Sequence, residues 1–252
     1  MDMELKFLDC NLNYGPQTAA EELKSCDDIN ELTGHMERAG ISGGLVHKTI
    51  KEAILANNSL ADDIKNKDNL KGVWLILPSC TGEIPLPHDL PKAMKQNNIG
   101  AITVNPKAHK YLPRKIALGD YMEMAQERKI PVLFNTSRGI TLEQIDDIMQ
   151  DFPNLTVILT YAHEWPNDRF LRPFLDAYPN LCLDMAYVMT DNWLNDMLKR
   201  YAAERILFGS GFPIAYIGAH MLVIKHAEIS EEAKIKIAGG NLKKLLEGAC
   251  YD

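Results

Sequence analysis

Eight short apolar runs recur along the chain, most of them followed by a turn and a stretch with helical spacing. The runs are Phe7–Asp9, Gly44–His47, Val73–Leu77, Ala101–Val104, Val132–Phe134, Thr156–Leu159, Leu181–Asp184 and Ile206–Phe208. They are often β-branched and apolar on both faces, as strands of a parallel sheet covered on both sides should be. Between them, Ile29–Ala39, Ile116–Arg128, Leu142–Phe152 and Trp193–Tyr201 carry apolar residues at helical spacing. Such alternation, joined by right-handed crossovers, folds into a closed barrel or a doubly wound sheet. The chain has 252 residues, and a (β/α)8 barrel needs about 250. No linker, repeat or composition shift marks a boundary, so a single α/β domain over residues 1–252 is expected.

Punctuation agrees with this alternation. Pro131 precedes the fifth run, and Pro153 and Pro179 close helices before the sixth and seventh, because proline cannot continue a helix. Asp191-Asn192 and Ser230 suit N-caps before Trp193 and Glu231. Gly239-Gly240-Asn241 is expected to interrupt the C-terminal helical region, leaving Leu242–Glu247 as a short final helix.

Composition removes several function classes. The formal net charge of −7 opposes binding to a nucleic-acid backbone, although basic residues can still gather around a small anion. No segment approaches the roughly 20 apolar residues that span a bilayer. Met1 to Leu8 is too short and too charged for a signal peptide, so a cytoplasmic protein with no membrane partner is expected. The five cysteines are odd in number and form no Cys-x-x-Cys pair, which suits reduced thiols. Strand alternation turns Cys10 away from Asp9 and Asn11, toward a helix, as a small buried hydrophobe.

In a closed barrel, functional groups come from the carboxyl ends of the strands and the loops after them. Those positions hold Asn11, Asn13 and Tyr14; His47 and Lys48; Asn105, Lys107 and His109; Asn135, Ser137 and Arg138; Tyr161, His163, Glu164 and Trp165; Asp184 and Tyr187. The rim is rich in amides, aromatics and cations, and poor in carboxylates.

Several of these segments carry a family resemblance. Leu8-Asp9-Cys10-Asn11-Leu12-Asn13 resembles the first-strand Asp-x-His-x-His signature of the amidohydrolase-related family (amidohydrolase family 2), with asparagine at both histidines. Ile206-Leu207-Phe208-Gly209-Ser210-Gly211-Phe212-Pro213 is similar to its eighth-strand Phe-Gly-Ser-Asp-x-Pro, with Gly211 at the aspartate. Pro131-Val132-Leu133-Phe134-Asn135-Thr136 resembles its Pro-Val-x-x-His-Thr strand, with Asn135 at the histidine. Phe152 to Leu159 is similar to the run into the sixth-strand histidine, whose place Tyr161 takes unless a small shift brings His163 there. Asn105-Pro106-Lys107 and Gly240-Asn241-Leu242 also fit. The resemblance implies a TIM barrel of the metal-dependent hydrolase superfamily whose metal site is degenerate.

In that family, strand-end histidines and an aspartate hold a metal that acidifies a water. Asparagine is a neutral oxygen ligand that cannot titrate. The expectation is therefore no cofactor, and in particular no divalent metal such as zinc. Three readings remain. The first is a small-molecule hydrolase or lyase in which Tyr161, His163 and Glu164 move protons. Asn11, Asn13, Asn105, Lys107, His109, Asn135, Arg138 and Tyr187 would then hold a carboxylate-bearing ligand. The second is a pseudoenzyme that binds a small molecule or a protein. The third builds a metal site from His47, His163 and Asp184. The asparagines either bind ligand or fill the cavity by bonding one another. A homodimer stays open.

Overall fold

Strand β1 (Phe7–Tyr14) pairs in parallel with β2 (Ile41–Lys48), and the pairing continues in chain order. The remaining strands are β3 (Leu70–Leu75), β4 (Ile99–Thr103), β5 (Val132–Asn135), β6 (Val157–Thr160), β7 (Leu181–Asp184) and β8 (Ile206–Leu207). The Cys10 amide donates to the Phe208 carbonyl at 3.0 Å, joining the two ends of this sheet. The computed structural model describes residues 5–16, 26–162, 168–188 and 190–252, and these form a nearly closed (β/α)8 barrel.

Helices follow each strand. They are α1 (Ile29–Ala39), α2 (Ala53–Ile64), α3 (Leu90–Gln96), α4 (Pro106–His109), α5 (Lys115–Arg128), α6 (Leu142–Asp151), α7 (Asp168–Ala177) and α8 (Trp193–Leu198). After β8 come α9 (Ala219–His226), α10 (Glu231–Ile235) and α11 (Asn241–Gly248). Their starts obey the chemistry of capping. Asp28 accepts from the amides of Asn30 and Glu31, and Thr141 forms a reciprocal capping box with Gln144, each satisfying orphan amides of a first turn. Ser230 caps α10, whereas Asn192 precedes α8 without a side-chain cap bond. Among the described residues, no helix is long and apolar enough to cross a membrane.

The barrel interior is filled rather than open. One side chain from each strand meets in a layer: Cys10, Leu45, Val73, Ala101, Leu133, Ile158, Cys182 and Leu207. Leu242 of α11 packs on this layer with Leu8, Leu245 and Leu246. A second, larger cluster fills the space between strands and helices. The plug isolates one barrel end from the other, so any cavity for a ligand lies beyond it, where the strands end.

Two sequence expectations change here. Cys10 faces the barrel interior, not a helix. The register moves from Asp9↔Gly44 to Leu12↔Val46, so three steps on β1 match two on β2. That bulge breaks strict alternation and lets Cys10 enter the plug while Asn11 enters the mouth. Gly44 makes room for it: a β-carbon there would stand 2.0 Å from the Asp9 carbonyl oxygen. The second change is at Gly239-Gly240, which does not end the helical region. Lys236–Gly240 forms a π turn between α10 and α11, and a β-carbon on Gly239 would meet the Lys6 carbonyl at 2.6 Å. The glycine serves a close approach to β1 rather than a stop.

Candidate functional site at the barrel mouth

A cavity of about 850 Å³ opens at the C-terminal end of the strands. Asn11, Asn13, Asn105, Lys107, His109, Asn135, Arg138, Tyr161 and Tyr187 all line it, so most of the sequence-selected groups share one space. His163 and Glu164, with Trp165, lie outside the described residues. A second cavity, of about 600 Å³, is lined by Asn192, Lys199 and Ser230 among others and contains none of the selected groups.

The floor of the mouth is a directed chain of hydrogen bonds. Arg138 Nη2 donates to Asn13 Oδ1 at 3.1 Å, and Asn13 Nδ2 donates to Asn11 Oδ1 at 3.0 Å. Asn11 Nδ2 then donates to Asp184 Oδ2 at 2.8 Å. A guanidinium only donates, so Asn13 must turn its oxygen to Arg138 and its amide NH2 to Asn11, and that end alone fixes the orientation of both amides. Arg138 Nη1 also lies 3.2 Å from His47 Nδ1. Because arginine has no acceptor, His47 Nδ1 must carry the lone pair and Nε2 the hydrogen. Burial, and then the Arg138 charge, hold the His47 pKa well below its ordinary value. The imidazole is therefore neutral near pH 7.

Beneath the mouth sit two carboxyls with no exposure, Asp9 and Asp184. Asp9 Oδ1 accepts from the amides of Asn11 and Ser210, and Asp184 Oδ1 from the amide of Ala186. Burial pushes Asp9 up to about 6 and Asp184 up to about 7, because loss of water disfavours the charged form. Asp9 Oδ2 has no hydrogen-bond partner among the described residues.

The other groups divide into those committed to local structure and those that form walls. Asn135 Oδ1 accepts from the Ser137 amide and hydroxyl, and Asn105 Oδ1 accepts from the Ala108 amide at the start of α4. His109 Nε2 lies 2.7 Å from the Lys51 carbonyl. Tyr161 and Tyr187 both take positive φ, 62° and 68°, and their rings meet edge to face at 4.4 Å between centroids. The Tyr187 hydroxyl donates to the Gly211 carbonyl at 3.1 Å. Gly211 itself has φ 67°, and a β-carbon there would touch the Tyr187 ring at 2.9 Å. Tyr187 thus occupies the space into which a side chain at 211 would project.

The cavity also takes in Lys51, Glu52 and Lys110, which the sequence analysis did not select. Their signal was present, since they sit in segments that follow β2 and β4. They lie several residues past the strand ends, beyond the positions considered there.

Comparison with known proteins places these observations in a family. The family model described as amidohydrolase matches residues 41–247. No curated protein matches the chain. An uncharacterised TIM-barrel protein from Bordetella bronchiseptica is 19% identical with a TM-score of 0.70, over 97% of this chain and 99% of that one. A dihydroxybenzoic acid decarboxylase from Polaromonas sp. JS666, with bound manganese and the inhibitor 2-nitroresorcinol, is 14% identical with a TM-score of 0.73, over 97% of each chain. A 2,6-dihydroxybenzoate decarboxylase from Rhizobium is 13% identical with a TM-score of 0.71, over 97% of this chain and 99% of that one. At these identities the likeness is one of fold.

The Polaromonas structure corrects one expectation. A protein of this fold holds manganese, so the expectation of no cofactor does not stand. The described residues do not by themselves complete a centre for such an ion. No three His, Cys, Asp or Glu side chains converge among them. The candidate oxygens of Asn11, Asn13, Asn135 and Asp184 each accept a hydrogen bond from the protein. Their all-oxygen character suits a hard ion such as manganese better than zinc.

Proposed function

The chain belongs to the amidohydrolase family, and on that premise we propose that it binds a small carboxylate-bearing molecule at the barrel mouth and acts on it as a hydrolase or lyase. The observation that supports this most is the position of Arg138. Its guanidinium is held by Asn13 and His47 at the base of a cavity large enough for a small metabolite. A cation fixed before the ligand arrives binds a carboxylate with little ordering cost. The decarboxylases that share the fold act on hydroxylated benzoates, which are carboxylates of suitable size.

In this reading Arg138 holds the carboxylate, and the asparagines set its orientation. Tyr161 is assigned to proton transfer, together with His163 and Glu164, which follow β6 in sequence. The Tyr161–Tyr187 pair gives the ligand an aromatic wall that excludes water from one side. Cys10, Cys80, Cys182 and Cys250 are free thiols, in keeping with a reducing compartment such as the cytoplasm.

The test is a thermal-shift screen of small carboxylic acids, lactones and amides, followed by turnover assays on the stabilising compounds. Stabilisation lost in Arg138→Met, with turnover lost in Tyr161→Phe and His163→Ala, is the expected result. Turnover that survives both latter substitutions removes the assigned proton-transfer roles. A compound that stabilises the protein yet is recovered unchanged in every assay supports a binding protein without catalysis.

A further inference from the structure

The charge around the mouth is far from that of the chain as a whole. The protein has 27 basic and 34 acidic residues. Among the described residues, the cavity is lined by Lys48, Lys51, Lys107, Lys110 and Arg138 and by one carboxylate, Glu52. Five cations against one carboxylate among the described lining residues is a concentration of one sign at one place, and a concave surface focuses its field.

These cations are not equivalent. The Lys48 ammonium is paired, 2.5 Å from Asp63, which also accepts from the Tyr14 hydroxyl at 2.6 Å. Lys51, Lys107 and Lys110 form no ion pair among the described residues. Lys51 follows β2, whereas Lys107 lies in α4 and Lys110 just past it. The His109 ring ties these two lips together. A carbonyl only accepts, so His109 Nε2 carries the hydrogen it donates to the Lys51 carbonyl at 2.7 Å. The stem of Lys107 lies against Gly139, where a β-carbon would stand 2.4 Å from it. Lys107 is thus set beside the turn that carries Arg138.

We propose that Lys51, Lys107 and Lys110 form an outer anion subsite for a phosphoryl group, so that the ligand of this mouth carries a carboxylate at one end and a phosphoryl group at the other. This rests on the carboxylate reading of Arg138 given above. The two subsites differ in chemistry. A guanidinium is a planar fork matched to a carboxylate. Three ammonium groups are compact, rotatable point charges, suited to a tetrahedral group with three acceptor oxygens and a charge near −2 at neutral pH. A second carboxylate carries one charge in one plane and leaves the lips with excess positive charge.

Three probes separate the subsites: glycerate, glycerol 3-phosphate and 3-phosphoglycerate, with affinities measured calorimetrically at about 50 mM salt. The expected order places 3-phosphoglycerate at least about ten-fold tighter than glycerate, with the advantage shrinking at about 300 mM salt as the outer charges are screened. In the double variant Lys51→Gln/Lys110→Gln, 3-phosphoglycerate affinity falls to that of glycerate. Both lysines are exposed, and an unchanged melting temperature without ligand shows that the fold is intact. Equal affinities for 3-phosphoglycerate and glycerate in the native protein overturn the proposal, as does a double variant that binds 3-phosphoglycerate as the native protein does. Failure of glycerate to bind counts against the Arg138 reading instead. The outer subsite is then judged by glycerol 3-phosphate against glycerol, with equal affinity overturning it.

Discussion

Asn11 Nδ2 donates to Asp184 Oδ2 at 2.8 Å across 173 positions of sequence. This contact begins the chain that runs through Asn13 to Arg138, and it couples a carboxyl sealed beneath the mouth to a cation that lines the cavity. Several measurable consequences follow from that wiring.

Removing the Asn11 amide takes the donor from Asp184 Oδ2, whereas Asn13 Nδ2 keeps the Phe212 carbonyl at 3.2 Å. One buried loss costs about 1–3 kcal/mol, so Asn11→Leu is expected to destabilise the protein by about that much in urea unfolding. A change under about 0.5 kcal/mol counts against the chain as drawn.

His47 reports on Arg138. Burial is the larger cause of its lowered pKa and the Arg138 charge the smaller. In Arg138→Met the His47 titration, followed by NMR, is expected to move upward yet remain below 6.5. An unmoved titration means that the guanidinium does not act on the ring.

The two buried carboxyls give stability a definite slope with pH. Their folded pKa values, about 6 for Asp9 and about 7 for Asp184, lie above the ordinary 3.8. Between pH 4 and 7 the folded state therefore holds protons that the unfolded chain has released. Their contribution to stability is greatest at low pH and falls as pH rises through those values, by up to about 1.4 kcal/mol per pH unit for each group. Asp184→Asn is expected to flatten the fall between pH 4 and 7 in equilibrium unfolding. An equally steep profile in the variant refutes the assignment.

Gly211 and Tyr187 compete for one space. An aspartate at 211 must adopt a positive φ and displace the Tyr187 ring, so Gly211→Asp is expected to cost about 1–3 kcal/mol. Tyr187→Ala in the same background should recover part of that loss, as a double-mutant cycle would show. Strict additivity of the two substitutions would mean that the ring and the side chain never meet.

The barrel is legible because parallel strands with helices on their outer face leave a simple signature, and each of the eight runs overlaps a strand. The first strand is longer than its apolar run. Phe7–Asp9 continues to Tyr14, since polar Asn11 and Asn13 obscure a strand that turns them into the mouth. The inward direction of Cys10 was illegible, because a bulge reverses alternation without changing composition. The position of Arg138 beside His47 was equally hidden, as 91 residues separate them. The rim asparagines could be selected from sequence, but not the order in which they bond. That order depends on which end is the carboxyl and which the guanidinium.

The seam between Cys10 and Phe208 has a consequence for how the protein is made. The floor of the mouth joins residues near the start of the chain to Asp184, and the sheet's ends meet only once β8 has formed. A fragment that stops before β7 thus lacks the Asp184 end of the hydrogen-bond chain, and the floor of the mouth is complete only when the late strands are in place.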